Sequence, residues 1–359
     1  MDLTFLDARQ GDAIWVRWGA GRQLLVDMGT SGTGRAMADR FRALPEDQRE
    51  FELLVVTHVD TDHIGGVLTG LVDPDEPVPV TFRDVWFNGW EHLNGLVPAD
   101  ERSPLEPMGG VQGELLGAWL RDRAWNDAFG RAAVVRGETE MPRIELPDGL
   151  TITVLAPVQD RLTDLIPEWR DAVEAALEKG TLTDVSPGLE PMGPSTPPTL
   201  ESTVDLELLS EDPSPVDGSK PNATSIALLL EHEGKRALLT GDSVASELIG
   251  GLALLDAGDR VPFDLVKLPH HGSRNNVSRA LVQAVESPLW VFSSDGTTFR
   301  HPDAIAVSRV VRDAGGSPHL VFNVPSTFNG WWQRPEWQSL FGYTTTYGVP
   351  ADGVTVALG

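Results

Sequence analysis

His58-Val59-Asp60-Thr61-Asp62-His63 sets two imidazoles and two carboxylates within six residues, directly after the apolar run 53–56. Such a run predicts a buried strand. Carboxylates this close repel one another unless a cation or a proton lies between them. Imidazole and carboxylate are both ligands of zinc and manganese. The stretch therefore predicts a dinuclear metal site at a strand end, with a solvated polar turn as the alternative.

The composition is that of a globular protein whose metal ligands must be His, Asp or Glu. The 359 residues are 41% hydrophobic and 23% charged, and none is cysteine, which excludes disulfides, thiolate metal sites and a cysteine nucleophile. The net charge of −25 argues against a broad basic surface for extended duplex DNA. It leaves room for a metal-dependent phosphodiesterase, because bound cations supply local positive charge.

The sequence carries no signal for a membrane or for export. None of its apolar stretches approaches the roughly 20 residues that span a bilayer. The stretch 1–7 lacks a basic region followed by an apolar core. A cytoplasmic protein without a membrane partner is therefore expected.

Predicted strands and helices alternate along the chain, which favours a layered α/β fold. The predicted strands are 3–6, 13–18, 23–27, 53–57, 84–88, 150–155, 225–231, 236–240, 265–268 and 289–293. The predicted helices are 35–44, a helix from Ile64, 113–125, 160–177, 244–255, 277–285 and 302–314. Residues 181–220, rich in Pro, Ser and acidic side chains, are predicted to form an exposed insertion. The aromatic-rich segment 323–359 is predicted to pack on the core.

Four further elements place polar residues at predicted strand ends or ahead of a helix. They are Leu25-Val26-Asp27-Met28-Gly29, Leu238-Leu239-Thr240-Gly241-Asp242, Pro269-His270-His271-Gly272-Ser273 and Arg300-His301-Pro302-Asp303. Each element alone is a weak signal, whereas their joint occurrence in this order is strong.

In this order the elements resemble those of the metallo-β-lactamase superfamily of binuclear metallohydrolases, from Phe5 to about Asp303. The sequence looks closest to the branch that includes the DNA-processing domain of ComEC-type competence proteins. That branch carries a Gly-Gln-Gly-Asp-like turn, here 9–12, and an Asn-x-x-Ser strand start, here 222–225. The resemblance implies a four-layer αββα sandwich, with residues 1–322 as the hydrolase domain.

The resemblance also implies two divalent metal ions, zinc first of all and manganese as an alternative at the first position. His58 and Asp60 are expected to bind the first ion. Asp62 and His63 are expected to bind the second, and Asp242 is expected to bridge both. His271 matches the last family ligand because it directly precedes a glycine, although His270 could exchange with it.

Further residues are implied around the metals. Those expected to hold the ligands through hydrogen bonds are Asp27, Asn222, Ser225 and Ser273. Asp62 is expected to orient the nucleophile as well as bind metal. His270 and His301 are candidates to protonate the leaving group or to hold a substrate anion.

The chain departs from the commonest family pattern at the first metal position. Asp60 stands where a second histidine is usual, and the usual histidine upstream of Asp242 is missing. The position is therefore oxygen-rich, which shifts preference toward manganese or weakens zinc binding. His92 is a further ligand candidate, whereas His232 and His319 are expected to be structural or at the surface.

The leading hypothesis is a binuclear hydrolase that attacks a phosphodiester, in a small molecule or a short nucleic acid, with a metal-bridging hydroxide. One alternative is hydrolysis of a lactone, amide or thioester. Another is a non-catalytic metal-binding interaction protein. Protein partners stay open.

Overall fold

The computed structural model describes residues 1–98, 111–179, 205–255 and 258–359. The predicted insertion 181–220 lies outside the described residues as far as position 204. No helix in the described ranges is long and apolar enough to cross a membrane.

Two large mixed sheets form the centre of the described structure. In spatial order, the six-stranded sheet contains Val354–Ala357, Asp2–Phe5, Ile14–Trp18, Arg22–Val26, Leu53–Val55 and Val85–Trp86. The eight-stranded sheet contains Thr344–Tyr347, His319–Phe322, Leu289–Phe292, Leu265–Lys267, Lys235–Leu239, Ala227–His232, Thr151–Ala156 and Arg143–Glu145.

Helices cover the outer face of each sheet. Those beside the six-stranded sheet are Ser31–Ala43, Thr61–Val67, Val111–Leu120 and Gln159–Lys179. Those beside the eight-stranded sheet are Ala245–Leu252, Arg279–Gln283, Ala304–Asp313 and Pro335–Phe341. Shorter helices are Trp90–Leu93, Leu206–Ser210 and Lys220–Ala223.

Neighbouring apolar residues of a strand point to opposite faces and so fill different layers of the core. Leu24 packs between the two sheets, whereas Leu25 packs beneath the helices outside the six-stranded sheet. In the same way, Leu239 packs between the sheets and Leu238 packs under the helices on the other side. Two sheets back to back, with helices on both outer faces, make the predicted αββα sandwich.

Parallel strands bring the predicted ligands to one end of the sandwich. In the six-stranded sheet, Leu53–Val55 runs parallel to Arg22–Val26 and precedes the metal motif. In the eight-stranded sheet, Leu265–Lys267 runs parallel to Lys235–Leu239, and these strands precede the His pair and Asp242. Residues that follow the carboxyl ends of parallel strands meet at one sheet edge.

Predicted strands and helices are present in the structure with somewhat different first and last residues. One of these differences affects the site. The helix expected from Ile64 begins at Thr61, because Asp60 takes the N-cap position with an extended backbone. Asp62 and His63 therefore lie in the first turn of a helix and not in a loop. Their side chains are held by a regular backbone as a result.

The C-terminal segment 323–359 adds a strand to each sheet. Thr344–Tyr347 pairs with His319–Phe322, and Val354–Ala357 pairs with Asp2–Phe5. The buried aromatic side chains of the segment in the outer core are Trp332, Trp337 and Tyr343.

Candidate metal centre

Close backbone contacts press the turn 10–12 against the metal motif. A Cβ atom on Gly11 would lie 1.7 Å from the carbonyl oxygen of Asp62, and one on Gly66 would lie 1.9 Å from that of Met28. No side chain fits at such distances, so both positions require glycine. The motif helix thereby rests directly on the two loops that carry Asp12 and Asp27.

Three ligand atoms from the two sheets converge in one buried pocket. The Nε2 atoms of His63 and His271 are 3.3 Å apart, and each lies 3.2 Å from Oδ2 of Asp242. Two ligand atoms bound to one tetrahedral zinc ion at roughly 2.0–2.1 Å lie about 3.3–3.4 Å apart. The spacing of these three atoms therefore fits a single divalent ion at their centre.

Asp62 lies beside these three residues. Its Oδ2 is 3.8 Å from Nε2 of His271. Between the adjacent histidines, His271 is the one that enters the pocket at ligand distance, since Nε2 of His270 is 3.8 Å from Oδ2 of Asp242. The structure thus brings His63, Asp242 and His271 together with Asp62 beside them, and their assignment as ligands stays a prediction.

The expected first metal position is marked by buried polar atoms that lack partners. Nε2 of His58 and Oδ2 of Asp60 are 3.5 Å apart. Among the described residues, side-chain atoms without a hydrogen-bond partner include His58 Nε2, Asp60 Oδ1, Asn222 Oδ1 and Asp242 Oδ1. Buried polar atoms are normally satisfied. A bound cation would satisfy the atoms of His58, Asp60 and Asp242, so these residues fit an ion.

Hydrogen bonds fix the ring nitrogens of both converging histidines. Nδ1 of His63 lies 2.7 Å from Oδ2 of Asp27, whose carboxylate also accepts from the backbone and the hydroxyl of Thr57. Nδ1 of His271 lies 2.9 Å from the carbonyl oxygen of Ser293. An acceptor at Nδ1 places the proton there, so Nε2 turns its lone pair to the pocket.

Two predicted serines shape the loops around the ligands. The Ser225 hydroxyl accepts a hydrogen bond of 3.0 Å from the backbone N–H of Asp242 and lies 3.4 Å from Nδ1 of His58. The backbone N–H of Ser273 donates to the carbonyl of His270 at 2.8 Å. Ser225 therefore touches ligands of both expected positions, whereas Ser273 closes the turn behind the His pair.

Sequence reasoning missed two fully buried residues beneath the pocket, Asp12 and Lys267. The Lys267 ammonium forms an ion pair with Asp12, donates to the carbonyl of Gly241 at 3.0 Å and lies 3.8 Å from Oδ1 of Asp242. Oδ1 of Asp12 is 3.5 Å from Nδ1 of His271. Asp12 also belongs to a group with His63, Asp242 and His271 whose ligand atoms all lie within 4.8 Å of one another.

The signal for Lys267 was its place as the charged residue of the apolar run 265–268. A charge in a buried strand needs a buried partner. Asp12 belongs to the turn 9–12, where an aspartate is common. The sequence alone therefore does not identify Asp12 as the buried partner of Lys267.

Burial and opposite charges shift the pKa values inside the pocket. Burial raises the pKa of Asp242, but the imidazoles of His271, His63 and His270 outweigh it and bring the pKa well below the ordinary value. Burial lowers the pKa of His63 and His271, but nearby carboxylates raise both overall. The carboxylates thus favour protonated imidazoles in the metal-free pocket, and a metal ion would compete with those protons.

The two candidate proton donors lie side by side. The rings of His270 and His301 meet edge to face, 5.5 Å apart, and His301 is 2% exposed. Nδ1 of His301 lies 3.7 Å from Oδ2 of Asp303. His301 thus contacts the site through the ring of His270.

His92 does not complete the first metal position. Its Nδ1 accepts from the backbone N–H of Gly89 at 3.0 Å, and its Nε2 lies 3.0 Å from the carbonyl oxygen of Arg131. Because both ring nitrogens bind the backbone, His92 holds a loop together.

The pocket opens on the side of its acidic residues. The side chains of Asp60 and Asp62 keep 20% and 15% exposure, whereas those of His58, His63 and His271 are at 0%. Asp60 and Asp62 are therefore the more solvent-accessible members of the motif 58–63.

The family model described as "Metallo-beta-lactamase superfamily" matches residues 6–91, which carry Asp12, Asp27 and the motif 58–63. Residues 6–91 therefore resemble the metallo-β-lactamase superfamily. Within this segment the predicted motif lies at the carboxyl end of a parallel strand. Assignment to the ComEC-type branch stays a prediction.

Comparison with solved structures gives distant likenesses to metallo-β-lactamase-fold and metal-binding proteins. YhfI from Bacillus subtilis is 12% identical, with 99% of each chain covered and a TM-score of 0.40. Zn²⁺-bound PqqB from Methylobacterium extorquens is 14% identical, with full coverage of both chains and a TM-score of 0.39. CmlA, a diiron β-hydroxylase from Streptomyces venezuelae, is 12% identical over 99% of this chain and 54% of its own, with a TM-score of 0.43. No curated protein matches the sequence.

Proposed function

We propose that this chain is a binuclear metallohydrolase that cleaves phosphodiester bonds in small molecules or short single strands. The observation that supports this most is the convergence of His63, His271 and Asp242 from two sheets at the spacing of zinc ligands. We propose zinc at this position, and zinc or manganese beside His58 and Asp60. Two ions held by these residues would activate a water molecule for attack and polarise a phosphoryl oxygen.

The protein's own groups prepare the pocket for that chemistry. Asp27 and the carbonyl of Ser293 hold the imidazoles of His63 and His271 in the tautomer that presents Nε2. Asp62, at the opening of the pocket, accepts a hydrogen bond from the attacking water and orients it. Fixed ligands cost no reorganisation as charge develops on the phosphoryl oxygens.

His270 is the proposed donor to the leaving oxygen. Its Nε2 is 3.8 Å from Oδ2 of Asp242, and its side chain keeps 11% exposure. It therefore reaches the pocket without taking a ligand position. His301 supports the His270 ring from behind and is the second candidate.

The charge of the chain favours small substrates over extended ones. A net charge of −25 repels a long polyanion at low salt, and salt screens this repulsion. A nucleotide diester or a short single strand carries few phosphates, so the negatively charged protein repels it less than a long duplex. We therefore propose no interaction with extended duplex DNA.

A substrate panel tests the proposal. Protein loaded with zinc or with manganese is assayed on nucleotide diesters, short single strands, long duplexes, lactones and thioesters. We expect diester cleavage, with the advantage of short substrates over duplexes narrowing as salt rises. Turnover of lactones or thioesters alone would replace the phosphodiesterase proposal, and full metal loading without any turnover would favour a binding protein.

A further inference from the structure

A buried carboxylate outside the expected ligand set organises the surroundings of His270. Asp217 has 4% side-chain exposure. Its Oδ2 accepts hydrogen bonds of 2.8 Å from the side-chain amides of Asn222 and Asn276, and its Oδ1 accepts from the backbone of Ser219. Nδ1 of His270 is 3.7 Å from the same Oδ2.

The orientation of the Asn276 amide follows from these contacts. Its Nδ2 donates to Oδ2 of Asp217 and lies 3.3 Å from the carbonyl oxygen of Asp242. Both are acceptors alone, so the NH₂ group must face them and the amide oxygen must face away. That oxygen lies 3.1 Å from Nδ1 of His270. It can accept a proton but cannot give one, so it favours a proton on Nδ1.

The side-chain amide of Asn222 could favour the other tautomer of His270, with the proton on Nε2. Its Nδ2 is 3.2 Å from Nδ1 of His270. A hydrogen donated there would require a bare Nδ1 and a proton on Nε2. The bond of 2.8 Å from this nitrogen to Asp217 uses one of its two hydrogens, and the other is the one that could reach the ring. The Asp217 carboxylate, an acceptor alone 3.7 Å from Nδ1 of His270, favours a proton on Nδ1, as the Asn276 oxygen does.

Asp217 lies in a segment that hydrogen bonds hold against a helix. Residues 205–219, the strap, lie over the helix Ala304–Asp313, where the guanidinium of Arg309 donates to the carbonyl of Asp212 and the hydroxyl of Ser214, each at 2.8 Å. The same group donates at 2.6 Å to the carbonyl of Arg274. One buried side chain therefore ties the strap to the loop that carries Asn276.

We infer that Asp217 is a positioning residue that, through Asn276, holds His270 with its proton on Nδ1 and turns Nε2 to the metal pocket. This deepens the proposed function, because it assigns the group that prepares the proposed proton donor. The tautomer itself is independent of which substrate is cleaved.

Nitrogen-15 NMR of histidine-labelled, zinc-loaded protein reads the tautomer directly. Spectra are taken at about pH 8.5, where an ordinary imidazole is neutral, and His270→Gln identifies the signal. We expect the His270 proton on Nδ1. A proton on Nε2 in the unaltered protein overturns the inference without any variant.

Asp217→Asn keeps the size of the side chain but can donate to Asn276, which frees the amide to turn. We expect a mixture of tautomers and a kcat on nucleotide diesters lower by roughly ten- to a hundredfold, with KM and metal content unchanged. Asp212→Asn is the control, because it removes a carboxylate of 41% exposure from the same strap. It should change neither the His270 tautomer nor kcat. An Asp217→Asn protein with the tautomer of the unaltered chain overturns the inference, even if kcat falls.

Discussion

Lys267 and Asp12 form an ion pair in which the two side chains are 0% and 1% exposed. The ammonium also holds the Gly241 carbonyl, and so it lies behind the turn that presents Asp242. Loss of one partner from a buried ion pair leaves a buried charge without a counter-charge. Loss of both partners leaves no buried charge at all. The floor of the pocket is therefore sensitive to single substitutions in particular.

We expect Lys267→Met to lower the free energy of unfolding of the metal-free protein by about 3–5 kcal/mol. The double variant Asp12→Asn/Lys267→Met should lose less than Lys267→Met alone. Lys235→Met is the matched control, because that pair with Asp264 is one-third exposed and contributes about 0–1 kcal/mol. Denaturant titration with a chelator measures all three, and equal losses would contradict the prediction.

Asp242→Ala is expected to abolish hydrolysis and to lower the metal content while the fold persists. The carboxylate faces both converging imidazoles, so its removal takes away their common partner. Elemental analysis should fall from close to two metals per chain to less than one, with circular dichroism unchanged at room temperature. Asp39→Ala, which removes a side chain of 78% exposure, should keep metal and activity. Full turnover of Asp242→Ala would mean that the site is elsewhere.

The two metal positions should fill unequally. In the proposed assignment, Asp62 and His63 share one position with His271 and Asp242, whereas His58 and Asp60 lack a further histidine at the other. Fewer imidazoles weaken zinc binding. Calorimetric titration of metal-free protein should show one tight and one weak zinc site, and manganese should compete at the weak one. Two equally tight zinc sites would refute this.

The metal-free protein should lose stability on both sides of neutral pH. The pKa of His63 and of His271 is raised above 6.5, so their contribution is complete below about pH 6.5 and is lost as pH rises through the raised pKa. The pKa of Asp242 is lowered, so its contribution is complete above about pH 3.8 and is lost in stronger acid. Denaturation with and without zinc checks this, because zinc should abolish the alkaline loss.

Gly11→Ala tests the contact between turn and motif. A methyl group there must displace the Asp62 backbone, so we expect a loss of about 1–3 kcal/mol together with weaker metal binding. Gly316→Ala is the control, since its Cβ meets nothing within 4 Å. Equal melting temperatures and metal affinities for the two variants would contradict the prediction. They would show that the turn 10–12 can move away from the Asp62 backbone at little cost in stability.

The strand ends and their ligands were predictable because apolar runs followed by His and Asp are local patterns. The motif 58–63, Asp242 and His271 all lie within such patterns. Their meeting depends on parallel pairing in two sheets, which the resemblance supplied. The motif helix began earlier than expected because Asp60 serves as an N-cap.

Asp217 could not be found in the same way. It lies in a stretch of Pro, Ser and acidic residues whose composition predicts exposure. Its burial depends on Arg309 and Asn276, both far along the chain, and on Asn222 in the helix Lys220–Ala223. Composition reports on local preference and is silent about such distant partners.

His63 and His271 are 208 residues apart in the chain yet touch at the pocket. An ion held between them acts as a removable cross-link between the two sheets, beside the apolar contacts and the Lys267–Asp12 ion pair that join them already. Loading should couple the unfolding of the two sheets into one cooperative event. Chelation should let each sheet exchange its amide hydrogens at its own rate, so hydrogen exchange far from the pocket becomes a reporter of its occupancy.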